Sequence, residues 1–298
     1  MASKLELRHL RGESYYIPGA VNLGLYGPPS ATILLDSGND ESSGRKVYRL
    51  LEEEGRTLKL ILNTHSHADH IGGNAYLQKK TACSIGAPFG EASFIEDPSL
   101  EPSFLWGASP FKELRNKFLQ AAPSKVFLKF SSEGPVEETE LTAFPLKGHS
   151  LEMAGFRTPD EVFYLGDSLF SEEIIEKYRL LFALNIREWL ETLEKLRHQE
   201  AAYFVPCHAE PCEDIASLVT ANRRALLSLT EDVLALCEEP RGRDGLVTSL
   251  FRRYNLKMNP SQYVLGTSTV SACLTYLMEE GVLEVFEENS GLFWRKTS

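Results

Sequence analysis

The segment NTHSHADHIGG, residues 63–73, sets three histidines and an aspartate within six positions of a 298-residue chain that holds seven histidines in all. His65 and His67 stand two apart just after LKLILN (58–63), a short apolar run that reads as a strand. An extended backbone points both imidazoles to the same side, so they can converge on one ion. Asp69 and His70 follow as the chain bends, and Gly72-Gly73 is expected to let the backbone turn tightly into the next helix. A second set of donors then faces a neighbouring position. Imidazole and carboxylate together suit zinc, and also iron or manganese, but four side chains from one loop cannot fill two coordination spheres.

Outward from that segment, short apolar runs alternate with helical patterns: AVNLGLY (20–26), ATILLD (31–36), the amphipathic RKVYRLLEEEG (45–55), then 58–63 and a helix opened by the two glycines. The runs around Ile33 and Ile61 are apolar on successive residues, as strands covered on both faces would be, which predicts sheet sandwiched by helices. Further strands are expected at KVFLKF (125–130), LTAFPL (141–146), EVFYLGD (161–167) and AAYFVPC (201–207), with an amphipathic helix over 185–197 between the last two. The missing ligands must come from elsewhere in the chain. His149 in LKGHS, Asp167 in FYLGDSLF and His208 in FVPCHAEP each follow a predicted strand, where open α/β sheets hold their ligand-binding groups. His9 and His198 are read as surface or structural.

The bulk composition sets limits. A formal charge of −11 argues against a chain whose main task is to grip a phosphate backbone. No segment approaches the ~18 continuous apolar residues of a membrane span, and no basic start precedes an apolar run, so a cytoplasmic protein without membrane attachment is expected. The five cysteines, odd in number and in apolar surroundings, suit reduced, packed thiols. From about residue 211 helical periodicity takes over, at 217–239, 246–254 and 264–281, followed by two short β-like runs, 282–286 and 291–295, about a turn at 287–290. Residues 1–210 are therefore expected to form the catalytic domain and 211–298 a winged-helix-like one.

The pattern H-x-H-x-D-H, a histidine about eighty residues on, a Gly-Asp after an apolar strand and a last histidine after another strand resemble the metallo-β-lactamase fold superfamily over residues ~20–210. The resemblance implies an αββα sandwich with two divalent ions at one edge. His65, His67 and His149 would hold one ion, Asp69, His70 and His208 the other, and Asp167 would bridge both. Asp69 and Asp167 are the carboxylates it implies for the reaction itself. His67 stands where the redox-active diiron branch has Glu, which favours hydrolysis. Asp69 and Asp167, where the secreted lactamase branch often has one Cys ligand, make antibiotic cleavage a poor expectation. Cys207, beside His208, is read as a packed thiol.

Two such ions would share a water and lower its pKa towards ~7, giving a bridging hydroxide that attacks an acyl carbon. The expected substrate is a small thioester or lactone, in the manner of the glyoxalase II-like branch, with zinc as the first choice of metal. Residues 87–124, with Phe89, Phe94, Phe104, Trp106 and Phe111, are expected to cover the cleft and hold an apolar acyl group, or else to pack a satellite core or dimer interface. A lactamase-like group with a C-terminal winged helix includes an endoribonuclease, the alternative reading. A nucleic-acid-binding regulator with a structural metal site and a persulfide-oxidising iron enzyme are further alternatives. Residues 201–298 carry nine basic against thirteen acidic groups, and the third helix of this module has no Lys or Arg, so nucleic acid is disfavoured as a partner. The module is expected to pack on the catalytic domain or on a second subunit.

Overall fold

The computed structural model describes residues 5–297. Four antiparallel neighbours come first: β1 (Arg8–Arg11), β2 (Ser14–Ile17), β3 (Leu23–Tyr26) and β4 (Thr32–Leu35). Helix α1 (Glu41–Glu53) then crosses to β5 (Leu58–Leu62), which lies parallel to β4. Helices α2 (Ala68–Ile71) and α3 (Asn74–Thr81) lead to β6 (Ser84–Pro88). Next come α4 (Phe89–Glu96), α5 (Leu100–Trp106) and a 3-10 turn at Lys112–Leu114, before β7 (Leu128–Phe130) closes a seven-stranded sheet in chain order. A second sheet holds β8 (Gly134–Pro135), β9 (Thr142–Pro145), β10 (Ala154–Arg157), β11 (Val162–Tyr164) and β12 (Tyr203–Val205) in the order β12-β11-β10-β9-β8. Helices α6 (Glu172–Tyr178) and α7 (Ile186–Leu196) make the crossover between β11 and β12, which pair in parallel.

Side-chain alternation along the strands fixes how these layers stack. Leu34, Ile61 and Ile85 pack with Val47, Leu50 and Leu51 of α1 and Leu77 of α3. One residue further along, Leu35 and Leu62 point the other way and meet Phe156, Tyr164 and Val205 of the second sheet. On that sheet's outer face Phe163 and Phe204 meet Trp189 and Leu193 of α7. The layers therefore run helix, sheet, sheet, helix, as the runs of successive apolar residues require. Trp189 is fully buried, and its Nε1 donates to Ser168 O at 3.0 Å, so truncation to Ala would cost about 3–5 kcal/mol.

After β12 come α8 (Ala216–Leu236), α9 (Arg243–Arg253), α10 (Pro260–Glu279) and the antiparallel pair β13 (Leu283–Glu288) and β14 (Gly291–Lys296). Asn259 caps α10 by accepting from Gln262 N, with Pro260 at the first position where its missing N–H is no loss. Leu226, Leu229, Val233, Val270 and Leu274 from these helices join the same apolar cluster as Trp189 and Phe204. The C-terminal helices thus pack directly on the outer face of the second sheet's helical layer. Among the described residues no helix is long and apolar enough to cross a membrane.

Local details differ from the sequence expectations for physical reasons. α1 starts at Glu41, four residues early, because Asp40 caps it by accepting from Ser43 N. The final turn is two residues, Asn289 and Ser290, both at positive φ (49° and 61°), a type I′ geometry that lets the strands run on to Glu288. Residues 87–124 fold as two short helices and a 3-10 turn. Gly72 and Gly73 do not make a special turn, since Gly72 has φ −61° and Gly73 φ −85°. They are needed for close approach. A Cβ on Gly72 would collide with the backbone of Asn39, and one on Gly73 with Ser37 O.

Candidate metal centre

Each of the seven proposed ligands lies in the segment that follows a strand, Asp69 and His70 on α2. His65, His67, Asp69 and His70 come after β5, His149 after β9, Asp167 after β11 and His208 after β12. The fold brings all seven together at one edge of the two sheets. His65, His67 and His149 form one group that could hold an ion, and Asp69, His70 and His208 another, while Asp167 forms a group with His65 and His70. Asp167 Oδ1 lies 3.2 Å from His70 Nε2, and its Oδ2 lies 3.4 Å from His149 Nε2 and 3.3 Å from His208 Nε2. Asp69 Oδ2 is 3.8 Å from His208 Nε2 and 3.9 Å from His70 Nε2. His9 and His198 are exposed and lie elsewhere, His9 against Gly12 O and His198 against Glu194.

Hydrogen-bond bookkeeping decides which ring nitrogens are bare. Thr64 Oγ1 donates to Asp36 Oδ2 at 2.8 Å, so it accepts from His65 Nδ1 at 2.9 Å. His70 Nδ1 donates to Asp36 Oδ2 at 2.8 Å, His149 Nδ1 to Phe182 O at 3.1 Å, and His208 Nδ1 to Ala20 O at 3.0 Å. With every Nδ1 proton committed, the neutral rings of His65, His70, His149 and His208 each carry their lone pair at Nε2. Two of these crowd a third nitrogen: His67 Nδ1 is 2.9 Å from His65 Nε2 and 3.1 Å from His149 Nε2. One proton cannot satisfy three converging nitrogens, whereas a cation can. His70 Nε2 and Asp167 Oδ1 are moreover buried without a hydrogen-bond partner. These residues fit a divalent metal, with His and Asp donors of the kind zinc takes.

Protonation behaviour follows the same layout. Burial, reinforced by the neighbouring His70 and His67, holds the His65 imidazole well below its usual pKa, and burial draws His149 down to about 3. At His70 burial acts the same way but is outweighed by the carboxylates of Asp167, Asp36 and Asp69, which raise it well above the usual value. Burial likewise opposes ionisation of Asp167, yet His208 and His70 hold it well below the ordinary carboxylate range. Cys207 is a packed thiol: burial pushes it up to about 12, and its Sγ lies 3.8 Å from Asp36 Oδ2.

Two buried acids that the sequence reading missed hold this geometry. Asp36, at the end of β4, accepts from Thr64 N, Thr64 Oγ1 and His70 Nδ1, each at 2.8 Å, and so aims both His65 and His70. Its position after an apolar strand is the same signal that singles out Asp167. Glu91, on α4, is only 1% exposed and accepts four hydrogen bonds. Oε2 takes Ser66 N at 3.0 Å and Ser66 Oγ at 2.6 Å, and Oε1 takes Ser150 Oγ at 2.7 Å and Glu152 N at 2.8 Å. One carboxylate thus ties the loop of His65 and His67 to the loop of His149. In return Glu152 Oε2 accepts from Gly90 N at 2.6 Å, locking the start of α4. No sequence signal marks Glu91, which reads as an ordinary helix residue. Beside His67 a small pocket is walled by Phe94, Phe104, Leu151, Phe182 and Leu184, with the buried Glu101 carboxylate 3.9 Å from His67 Nε2. Burial raises the pKa of Glu101 despite the opposing pull of His67. Phe89, Trp106 and Phe111 lie outside this wall.

A helix-sheet-sheet-helix sandwich carrying His and Asp donors at its edge defines a class of metal-binding α/β proteins. The chain belongs to the Metallo-beta-lactamase superfamily, whose sequence pattern matches residues 16–208, and it is a hydrolase of that superfamily. It is similar to the hydroxyacylglutathione hydrolase of Nitrobacter winogradskyi, at 27% identity over 68% of this chain and 69% of that one. A shorter stretch, 20% of this chain and 24% of the relative, is 48% identical to the hydroxyacylglutathione hydrolase of Rhodopseudomonas palustris. In fold it resembles a metallo-beta-lactamase family protein from Thermus thermophilus, with a TM-score of 0.73 and 21% identity over 99% of both chains. The metallo-beta-lactamase of Pontibacter korlensis has a TM-score of 0.55 at 14% identity and covers 75% of this chain and 99% of that one.

Proposed function

We propose that the protein is a two-metal hydrolase of a small acyl substrate, a thioester or a lactone, with zinc at both positions. The observation that carries this reading is the arrangement of bare nitrogens and carboxylate oxygens around Asp167, whose Oδ1 faces His70 and whose Oδ2 faces both His149 and His208. His65 Nε2, His67 Nδ1 and His149 Nε2 would hold one ion, and Asp69, His70 and His208 the other, with Asp167 between them. Bound there, divalent ions supply Lewis acidity and bring the pKa of water near neutrality. Asp69, the one partly exposed carboxylate of the set, turns Oδ2 to His70 and His208 and so has its other oxygen, Oδ1, to take a proton as water adds to the acyl carbon. Phe94, Phe104, Phe182, Leu151 and Leu184 offer the acyl group an apolar wall and keep bulk water from the His67 side. The name of the 27% identical relative, a hydrolase of an acylglutathione, supports the thioester choice.

We read residues 211–298 as a winged-helix-like second domain that serves the first rather than a nucleic acid. α10 carries no Lys or Arg, and nine of its residues are buried against its neighbours. Five free cysteines, four of them buried, support a reducing, cytoplasmic setting. The decisive experiment is a turnover panel of thioester, lactone, RNA and persulfide substrates with the zinc-loaded wild type and His67→Ala. Thioester or lactone hydrolysis lost in the variant is expected. RNA cleavage without acyl hydrolysis would overturn the substrate assignment, and metal analysis finding no zinc in the wild type would overturn the two-metal reading.

A further inference from the structure

Two buried polar side chains of the C-terminal helices hold a residue that touches a candidate metal ligand, one by that residue's own backbone and the other by the backbone on either side of it. Asn222 on α8 is fully buried; its Oδ1 accepts from Phe170 N at 3.0 Å and its Nδ2 donates to Phe170 O at 2.8 Å and to Leu218 O at 2.9 Å. The Phe170 ring stacks on His208, with centroids 5.3 Å apart and an interplanar angle of 12°. Phe170 also follows Asp167 by three residues, and Ser171 N donates to His208 O at 3.1 Å. Thr269 on α10, 1% exposed, holds the two neighbours of Phe182 instead. Its Oγ1 accepts from Ala183 N at 3.2 Å, and its hydroxyl hydrogen is shared between Leu181 O at 3.3 Å and Leu265 O at 3.1 Å. The residue so bracketed gives its carbonyl to His149 Nδ1 and packs its ring on His67 at 5.1 Å.

Both side chains sit beside the apolar cluster that joins α7, α8 and α10, where a hydrocarbon of equal size would avoid any desolvation cost. A polar group kept there with every hydrogen bond made fixes a position. We propose that the C-terminal helical segment is a metal-retention element: α10 sets the carbonyl partner of His149 through Thr269, and α8 sets the ring stacked on His208 through Asn222. The two helices thus bear on different ions, Thr269 on the one held with His65 and His67, and Asn222 on the one held with Asp69 and His70. Both are positioning residues. The inference rests on the two-metal reading above and adds that the ions are gripped from outside residues 16–208, the stretch matched by the superfamily pattern.

The test is zinc affinity of the full-length chain, stripped and then titrated against a chromophoric chelator, for wild type, Asn222→Leu, Thr269→Val, Thr269→Ser and Thr230→Val. Thr230 is an equally buried α8 hydroxyl that donates only to Leu227 O of its own helix, so its loss reports structural damage alone. Asn222→Leu and Thr269→Val should each weaken one of two zinc ions, by up to about 10–100-fold, the range for loss of a ligand's outer partner itself. Thr269→Ser should restore wild-type affinity, and Thr230→Val should bind both ions as the wild type does. Melting curves of the stripped proteins separate loss of fold from loss of grip. Wild-type zinc affinity in both Asn222→Leu and Thr269→Val, or an equal loss in Thr230→Val, would overturn the proposal. No zinc uptake by the wild type would overturn the two-metal reading itself.

Discussion

Glu91→Gln is the substitution whose consequences the structure specifies most closely. The carboxylate receives a backbone N–H at each oxygen, Ser66 N on Oε2 and Glu152 N on Oε1, and a serine hydroxyl beside each. Glutamine keeps one acceptor oxygen and puts an NH₂ in place of the other. The serine on that side can rotate its hydroxyl and accept from the NH₂, but a backbone N–H cannot turn round. Whichever way the amide sits, one of the two loops faces a buried donor with a donor and loses its anchor. A charged acceptor's hydrogen bond is worth about 1.5–3 kcal/mol and a stranded buried donor costs about 1–3 kcal/mol, so a net loss of about 2–3 kcal/mol is expected. At roughly 2–4 °C per kcal/mol for a chain of this size, Tm should fall by roughly 4–12 °C. The loosened loops are those of His65, His67 and His149, so zinc should leave that group about 10–100-fold more readily. Calorimetry of the stripped protein and chelator competition of the loaded one measure the two effects. A Tm within about 1 °C of wild type together with unchanged zinc affinity would refute the reasoning.

Three further substitutions or conditions probe the same centre. Asp36→Asn replaces an acceptor shared by Thr64 and His70 and should lower zinc affinity about 10–100-fold with a smaller change in Tm, read by chelator competition. Gly148→Ala places a Cβ against the backbone N and Cα of Trp189 at φ +114°, and the strain plus overpacking should cost about 3 kcal/mol or more and displace His149, seen as a lowered Tm and one lost zinc. In the stripped protein, pH should act in two opposite windows. His149, about 3 in the fold against 6.5 unfolded, contributes stability that is complete above 6.5 and drains away as pH falls towards 3. His70, raised in the fold, contributes stability that is complete below 6.5 and is lost as pH rises through its folded value. A Tm of the stripped protein that rises steadily from about pH 4 to about pH 9 would contradict this.

The parts of the site that can be read from the sequence are those whose geometry is local. His65 and His67 share a side because an extended backbone repeats every two residues, and Asp167 and His208 stand out because each follows a short apolar strand. Asp36 carries the same signal, yet it closes the run ATILLD with no histidine beside it to draw the eye to metal chemistry. Glu91 carries none: its partners are Ser66, 25 residues before it, and Ser150, 59 residues after it. The amphipathic spacing of α7 is legible, but not that Phe182 just before it gives its carbonyl to His149. The glycine pair is legible as a landmark and not in its cause. Its requirement is the passage of residues 37–40 across α2, a contact between segments about thirty residues apart that no local conformational preference encodes.

That division between legible and illegible residues has a physical origin in how the centre is built. The proposed ligands lie beyond the ends of strands whose apolar faces are locked on both sides, so the packing of Leu34, Ile61 and Phe163 already delivers them to one edge within a few ångströms. Packing of that kind is tolerant, because hydrophobic contact has little directionality. Holding five imidazoles with their bare nitrogens converging needs direction, which only hydrogen bonds supply. The centre meets that need with a few buried polar groups: Asp36 for His65 and His70, Glu91 between the loops of His67 and His149, Thr269 behind His149, and Asn222 behind His208. Each is costly to bury and fully partnered, and each joins segments far apart in sequence. The apolar pattern gathers the ligands, and these four polar groups aim them. Substitutions in the first set should therefore show chiefly in folding, and substitutions in the second chiefly in metal affinity.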